Sequence, residues 1–132
     1  MHINNKVVLL TGAGSGIGQA LAGELAKQGA KLIITDLSED ALVKTIEKYQ
    51  CQSQVLGYFT ANLLDDDAPE KILQQAQGLS EHIDILINNA GMMAMGQVRN
   101  MQWQDYQRMQ QVNQNAAIKL SYLLLPSLIA KG

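Results

Sequence analysis

The chain has 132 residues, a net charge of −2 and 47% hydrophobic residues, which fits one domain with a buried core. This charge argues against nucleic acid or an anionic membrane as the main partner, and no apolar run is long enough to span a bilayer. A single cysteine, Cys51, excludes an internal disulfide, and neither histidine has partners at metal-ligand spacing, so we predict no metal site. Residues 1–6 lack the pattern of a secretory signal, so we expect a reduced, cytoplasmic protein.

Short apolar runs alternate with amphipathic stretches along the chain. The predicted strands are residues 6–11, 31–36, 54–60 and 83–88. The predicted helices are residues 17–28, 38–49 and 65–79 and a long helix from about residue 102. Ser38 and Asp67 are the expected N-caps of the second and third helices. Such alternation of strands and helices predicts a parallel, doubly wound sheet with helices on both faces.

The most informative motif is TGAGSGIG at residues 11–18, between the first predicted strand and the first predicted helix. Its pattern is Thr-Gly-x-x-x-Gly-x-Gly, with Gly12, Gly16 and Gly18, which differs from the strict G-x-G-x-x-G fingerprint. Glycines at such a turn let the main chain approach a ligand, and the amides at a helix N-terminus attract a pyrophosphate. We therefore predict that a dinucleotide binds at this loop.

Asp36 ends the second predicted strand. An acid at this position accepts hydrogen bonds from the ribose hydroxyls of adenosine and repels a 2′-phosphate. Neither Ser15 nor Leu37 supplies the basic side chain that a 2′-phosphate would need. The sequence thus favours NAD over NADP, and the simpler alternative is that Asp36 only caps the strand end.

Residues 11–18, together with the segment Asn-Asn-Ala-Gly at 88–91, resemble the short-chain dehydrogenase/reductase family over essentially the whole chain. The resemblance implies a Rossmann-like, doubly wound α/β domain at residues 1–132, truncated after about four strands and four helices. It also implies an NAD(P)-dependent oxidoreductase that acts on a small carbonyl or alcohol substrate. The implied cofactor-binding residues are Gly12, Ser15, Gly16, Ile17, Gly18, Asp36, Asn62, Leu63, Asn89, Ala90 and Gly91. The family usually has aspartate where this chain has Asn62.

Asn113 interrupts the apolar face of the last predicted helix, and we expect it to be buried with hydrogen-bond partners. The resemblance implies that Asn113 belongs to the catalytic tetrad and helps to hold a proton-relay water. The tetrad also needs a serine and a tyrosine followed four residues later by lysine, because a phenol with a pKa near 10 is a poor base unaided. No tyrosine of this chain has that lysine. We therefore expect the 132-residue chain to be inactive alone.

Two surfaces of the predicted domain lack partners. In the usual strand order the fourth strand lies between the first and a fifth, so here its edge would be exposed, and the last helix would expose an apolar stripe. We expect a homo-oligomer that forms through one of these surfaces.

Two other functions stay open at this point. The chain could be a naturally short, non-catalytic module that binds a dinucleotide or a protein partner. A methyltransferase with a related glycine loop is disfavoured by residues 88–91. Met92, Met93 and Met95 are expected near the substrate entrance or in the core, and Cys51 is expected to take no part in chemistry.

Overall fold

A computed structural model describes residues 2–91 and 102–131, and it contains the predicted alternation of strands and helices. The strands are β1 (Val7–Thr11), β2 (Lys31–Asp36), β3 (Val55–Thr60) and β4 (Ile85–Ile87). The helices are α1 (Gly16–Lys27), α2 (Glu39–Tyr49), α3 (Ala68–Leu79), α4 (Trp103–Gln110) and α5 (Ala116–Lys131), with a π-helical turn (Gln111–Asn115) between the last two. Met92, Met93 and Met95 lie outside the described residues.

The four strands form one parallel sheet in the order β3-β2-β1-β4. Strand β1 is central and pairs with β2 from Val7 to Thr11 and with β4 from Val8 to Leu10. The chain runs outward from β1 to β2 and β3, and then returns to place β4 on the other side of β1. This reversal opens a crevice at the carboxyl ends of β1 and β4. The predicted Rossmann-like, doubly wound fold is confirmed.

Apolar side chains on both faces of the sheet are buried, as expected for parallel strands that are covered by helices. Val8 and Leu10 of β1 point towards α1 and α2, whereas Leu9 points towards α3 and α5. The first layer is formed mainly by Val8, Leu10, Leu32, Ile34, Ala22, Leu42 and Ile46. The second layer is formed mainly by Leu9, Ile33, Ile72, Ala76, Leu120 and Leu124. Two apolar layers therefore fix the helices on opposite faces of the sheet.

Helices α3 and α5 also meet through an ion pair between Glu70 and Lys119. The hydrogen bond from Lys119 holds the pKa of the Glu70 carboxyl below its usual range. Both side chains are about half exposed, and ion pairs at such positions contribute little to stability. The apolar contacts between the two helices therefore dominate their association. None of the helices in the described part of the chain combines the length and the apolar character that a membrane crossing requires.

The helix caps confirm one prediction and correct another. Ser38 caps α2 by accepting a hydrogen bond from the Ala41 N–H at 3.2 Å. Asp67 stands at the predicted N-cap position of α3, but its side chain makes no cap bond, so the expected capping interaction is absent. The backbone of Asp67 has ψ 7° instead of an extended value, and its carboxylate pairs with Lys71 at 3.2 Å.

Strand β4 is shorter than predicted, with three residues instead of the six at 83–88. It begins two residues later than predicted and ends one residue earlier, at Ile87, where the polar groups of Asn88 and Asn89 bond to other elements. The Asn88 amide donates to Ser121 Oγ of α5 at 3.1 Å, and the Asn89 N–H donates to the Thr11 side chain. Within the described residues no strand pairs with the outer side of β4, so this edge of the sheet is open and its residues are only half buried.

Candidate functional site

A cleft of about 750 Å³ lies at the carboxyl ends of the strands. Its walls come from the turn after β1, the end of β2, the segment after β3, the segment after β4 and the π-helical turn. The lining residues are Thr11, Gly12, Ser15, Ile17, Thr35, Asp36, Leu37, Ala61, Asn62, Leu63, Leu64, Asn89, Ala90, Gly91, Val112 and Asn113. Parallel strands bring these segments together because all their carboxyl ends meet at one edge.

The glycine motif at residues 11–18 packs too tightly for side chains at several positions, among them Gly12 and Gly18. Gly12 has φ +68°, and a Cβ there would lie 2.7 Å from the Ala90 Cα. A Cβ on Gly18 would overlap the carbonyl oxygen of Gly12. The two glycines therefore let the start of α1 and the segment after β4 approach the same short stretch of main chain.

Thr11 connects the end of β1 to the segment that follows β4. Its hydroxyl oxygen accepts hydrogen bonds from the backbone N–H groups of Asn89 at 3.1 Å and Ala90 at 3.0 Å. The Asn89 side-chain amide donates in return to the Gly12 carbonyl at 3.1 Å. These bonds hold residues 88–91 against the glycine loop at the centre of the cleft.

The N-terminus of α1 opens towards the cleft and suits an anion. Ser15 stands at its N-cap position without a side-chain cap bond, and the first turn of α1 contains no acidic residue. By contrast, α2 begins with Glu39 and Asp40, and the preceding Ser38 caps the helix with its side chain. The amides at a helix N-terminus carry partial positive charge. At α1 a phosphate group could therefore supply the negative charge that Glu39 and Asp40 supply at α2. Ile17 is 75% exposed beside this turn.

Asp36 stands at the end of β2 and lines the cleft. Its Oδ2 accepts a hydrogen bond from the Gly14 N–H at 2.8 Å, and its Oδ1 accepts one from the Leu37 N–H at 2.7 Å. The neighbouring Thr35 hydroxyl is buried in the cleft wall and has no hydrogen-bond partner within the described residues.

Asn113 lies in the π-helical turn and faces the cleft. Its expected burial is wrong, because its side chain is exposed. The turn inserts an extra residue into the helix, which moves Asn113 off the buried face that Ala116 and Leu120 continue. A Cβ on Gly91 would lie 3.4 Å from Asn113 Oδ1, so the two segments converge. Single π-helical turns inside α-helices occur frequently at functional sites.

Most of the predicted site residues line this cleft. These are Gly12, Ser15, Ile17, Asp36, Asn62, Leu63, Asn89, Ala90, Gly91 and Asn113. Gly16 and Gly18 do not line it and instead shape the loop behind it. The lining residues that were not among the predicted site residues are Thr11, Thr35, Leu37, Ala61, Leu64 and Val112. Their position along the chain could have identified them, since each lies within two residues of a predicted site residue.

The family model described as short chain dehydrogenase matches residues 6–132. The chain belongs to the short-chain dehydrogenase family. Among its relatives, the fatty acyl-CoA reductase of Acinetobacter baylyi is 31% identical, over 98% of this chain and 45% of the reductase. An uncharacterised oxidoreductase of Thermotoga maritima is 31% identical, over all of this chain and 52% of its own length. The chain thus spans about half the length of the relatives that it matches.

Solved structures of short-chain dehydrogenases share the fold. A Burkholderia phymatum enzyme in complex with NAD superposes with a TM-score of 0.87 at 26% identity, over 99% of this chain and 47% of that enzyme. The 3-ketoacyl-(acyl-carrier-protein) reductase of Brucella melitensis, complexed with NADH, gives 0.85 at 26% identity, over 95% and 51%. The L-sorbose reductase of Gluconobacter frateurii, complexed with NADPH, gives 0.89 at 25% identity, over 100% and 51%. The neighbours therefore include proteins bound to either type of cofactor.

Cys51 and the two histidines lie away from the cleft of this short-chain dehydrogenase chain. Cys51 is 3% exposed, and burial raises the pKa of its thiol. A buried thiol with a raised pKa forms little thiolate, which is the reactive form. Within residues 2–91 and 102–131, no three acidic, histidine or cysteine side chains cluster as a metal site would require.

We predict that Thr11→Val loosens the cleft of this short-chain dehydrogenase chain. Valine keeps the shape but removes the acceptor shared by the Asn89 and Ala90 N–H groups, and an unsatisfied buried donor costs about 1–3 kcal/mol. Urea denaturation should show that loss in the free energy of unfolding. Thr11→Ser keeps the hydroxyl and serves as the control. A Thr11→Val chain as stable as the serine variant would contradict the role of this oxygen.

Proposed function

We propose that residues 1–132 form the NAD(P)-binding half of an oxidoreductase that transfers hydride between a nicotinamide cofactor and a small carbonyl or alcohol substrate. The observation that carries this proposal is the cleft at the switch point of the sheet, where the glycine loop, Asp36 and Asn113 line one continuous space. The family and the nucleotide-bound neighbours support the same class of reaction. A bound nicotinamide would supply the hydride chemistry, and the chain would supply binding and orientation.

The pyrophosphate would bind at the N-terminus of α1. The main chain around Gly12, Ser15 and Ile17 faces the cleft there, and Gly16 and Gly18 shape the turn. The first turn has no competing acid, so its amides are available to an anion. The uncapped α1 terminus is the feature of the site that the pyrophosphate would satisfy.

The adenosine would lie between Asp36 and the segment after β3. Asp36 would accept hydrogen bonds from the ribose hydroxyls, and Asn62 and Leu63 would contact the adenine. The Asn62 side chain already turns the segment by accepting from the Leu64 N–H at 3.0 Å. Leu37, the next residue after Asp36, is exposed and uncharged. A carboxylate without a nearby cation repels a 2′-phosphate, so we propose NAD in preference to NADP.

The nicotinamide side of the cleft would be lined by Ala90, Gly91 and Asn113. Asn89 would support this wall through its bonds to Thr11 and Gly12. Asn113, exposed in the π-helical turn, would help to hold a water that relays a proton. No tyrosine in the 132 residues is followed four positions later by lysine. The proton donor would therefore have to come from outside this chain, which we propose is inactive by itself.

A second candidate is a short, non-catalytic module that binds a dinucleotide as a sensor or through a partner. The absence of a Tyr-x-x-x-Lys pattern from the 132 residues favours it. Both candidates bind a dinucleotide in the same cleft, and a cytoplasmic location stays a prediction for either.

We further propose that the chain self-associates through α5. The side chains of Ile118, Tyr122, Leu125 and Ile129 are 67, 73, 49 and 69% exposed. Their spacing of four, three and four residues places them on one stripe of the helix. The open edge at β4 is the weaker candidate, because its three residues are half buried. A stripe of this kind is complementary to a second copy of itself across a two-fold axis.

The first test is calorimetric titration of the chain with NAD, ADP-ribose and NADP. We expect NAD and ADP-ribose to bind, and NADP to bind more weakly. Asp36→Asn should weaken NAD binding about tenfold, because a hydrogen bond to a charged group is lost. Asp40→Asn, an exposed acid at the start of α2, is the matched control. Failure of the wild-type chain to bind any dinucleotide would contradict the proposal.

The second test is an assay for hydride transfer, in which the absorbance of reduced nicotinamide is followed with a panel of alcohols and carbonyl compounds. We expect no turnover from the purified 132-residue chain, because an unassisted phenol with a pKa near 10 is a poor acid–base catalyst at neutral pH. A full-length member of the family, assayed in parallel, is the positive control. Turnover by the 132-residue chain would show that its proton donor lies within these residues.

The third test is sedimentation velocity over a range of protein concentrations. We expect a wild-type dimer that Tyr122→Glu dissociates, because the charge would be buried against a second apolar stripe. Gln110→Glu adds the same charge at an exposed position of α4 and should leave the dimer intact. A strictly monomeric wild-type chain at high concentration would contradict self-association.

A further inference from the structure

One buried peptide group of the glycine loop is held at both of its polar ends. Ala13 and Gly14 are buried, so neither the carbonyl of the first nor the N–H of the second is available to bulk water. The Thr45 hydroxyl donates to the Ala13 carbonyl at 2.8 Å, and the Gly14 N–H donates to Asp36 Oδ2 at 2.8 Å. This carbonyl and this N–H belong to the same peptide plane, so the two bonds together fix its orientation.

Thr45 is itself held in place by three elements. It lies in α2 and is fully buried. Its hydroxyl is 3.0 Å from the Ala41 carbonyl one turn earlier, and it accepts a hydrogen bond from the Gln19 amide of α1 at 3.0 Å. Because the Ala41 carbonyl offers the hydroxyl proton an alternative acceptor, the bond to Ala13 is not needed to satisfy Thr45. The Ala13 carbonyl, by contrast, would lose its partner if the hydroxyl were removed, and that loss favours rotation of the peptide.

Rotation of this peptide would release Asp36. The carboxylate is held on one side by the Gly14 N–H and on the other by the N–H groups of Leu37 at 2.7 Å and Ser38 at 3.3 Å. A Cβ on Gly14 would lie 2.8 Å from the Asp36 Cγ, which shows how closely the loop packs on the carboxylate. With both oxygens engaged, the negative charge has a fixed position at the cleft wall.

We propose that Thr45 is a positioning residue that sets the discrimination between a ribose 2′-hydroxyl and a 2′-phosphate. It orients the Ala13–Gly14 peptide so that the Gly14 N–H fixes the Asp36 carboxylate in the cleft. A fixed carboxylate repels a 2′-phosphate, whereas one that is free on the Gly14 side turns away and relieves the repulsion. This inference rests on the proposed binding of a dinucleotide, and it adds a residue that does not itself line the cleft.

The binding test compares NAD and NADP titrations of the wild-type chain, Thr45→Val and Thr45→Ser. Valine removes the hydroxyl at nearly constant shape, and serine restores it. We expect the ratio of NAD affinity to NADP affinity to fall about tenfold in Thr45→Val, as expected for the loss of one buried hydrogen bond, and to return in Thr45→Ser. A purely structural role would lower both affinities by the same factor, and an unchanged ratio would therefore overturn the proposal. A wild-type chain that binds NAD and NADP with equal affinity would also overturn the proposal.

Amide hydrogen exchange, followed by NMR, tests the clamp without any ligand. In Thr45→Val the Gly14 amide should exchange at least about tenfold faster than in the wild-type chain, and in Thr45→Ser it should not. The amide of Ile33, in the buried centre of β2, monitors global stability. Equal acceleration of both amides would mean general destabilisation and would overturn the proposal.

A third variant covers the case in which Thr45→Val does not fold. Gln19→Leu, at a half-buried position of α1, removes the amide that donates to Thr45 Oγ1, together with an exposed contact from Lys48 Nζ to the amide oxygen at 3.3 Å. It should shift the affinity ratio and the Gly14 exchange in the same direction by about threefold. If the wild-type chain binds neither dinucleotide, the cofactor proposal fails together with the discrimination. Gly14 exchange then still decides whether Thr45 holds the peptide.

Discussion

The Thr11 hydroxyl joins the two sides of the switch point, and the geometry of the cleft depends on it. Strand β4 ends at Ile87, so the next N–H groups have no partner in the sheet. The Thr11 hydroxyl oxygen accepts hydrogen bonds from the backbone N–H groups of Asn89 and Ala90. The Asn89 side-chain amide donates to the Gly12 carbonyl of the glycine loop. Because backbone donors that leave a sheet must be satisfied elsewhere, this exchange fixes where the segment at 88–91 lies.

The same principle operates on the other side of the glycine loop. There the polar groups of the main chain are satisfied by β2 and α2, with the Ala13 N–H bonded to the Thr35 carbonyl at 3.2 Å and the next peptide held by Thr45 and Asp36. A loop that binds a ligand through backbone amides gains its selectivity from the orientation of those amides. Residues that never contact the ligand can therefore influence binding, provided that they set this orientation.

The sequence was sufficient for features whose physical cause is local. Apolar runs at 6–11 and 31–36 predicted the central strands, and the glycines at 12–18 predicted the turn, because strand burial and backbone freedom depend on neighbouring residues. Asn113 could not be placed correctly, since a regular helix would bury it and only the π-helical turn exposes it. Thr45 carries no signal in the sequence, because its partners Ala13 and Gln19 are distant along the chain. For Asp67 a local signal was present, but the backbone angles did not allow the cap.

Three hydrogen bonds within residues 11–91 shape the side of the cleft at the glycine loop. They run from Thr11 to Ala90, from Gly14 to Asp36 and from Thr45 to Ala13. The part of the cleft at Asn113 is supported differently. Asn113 lies in the π-helical turn that leads into α5, and α5 packs on α3 through apolar side chains. Under the proposed function, the fold thus separates the part that would orient a nucleotide from the part that would present a proton-relay group. The two parts are joined by the bond from the Asn88 amide to Ser121 Oγ, so the segment after β4 also depends on the position of α5.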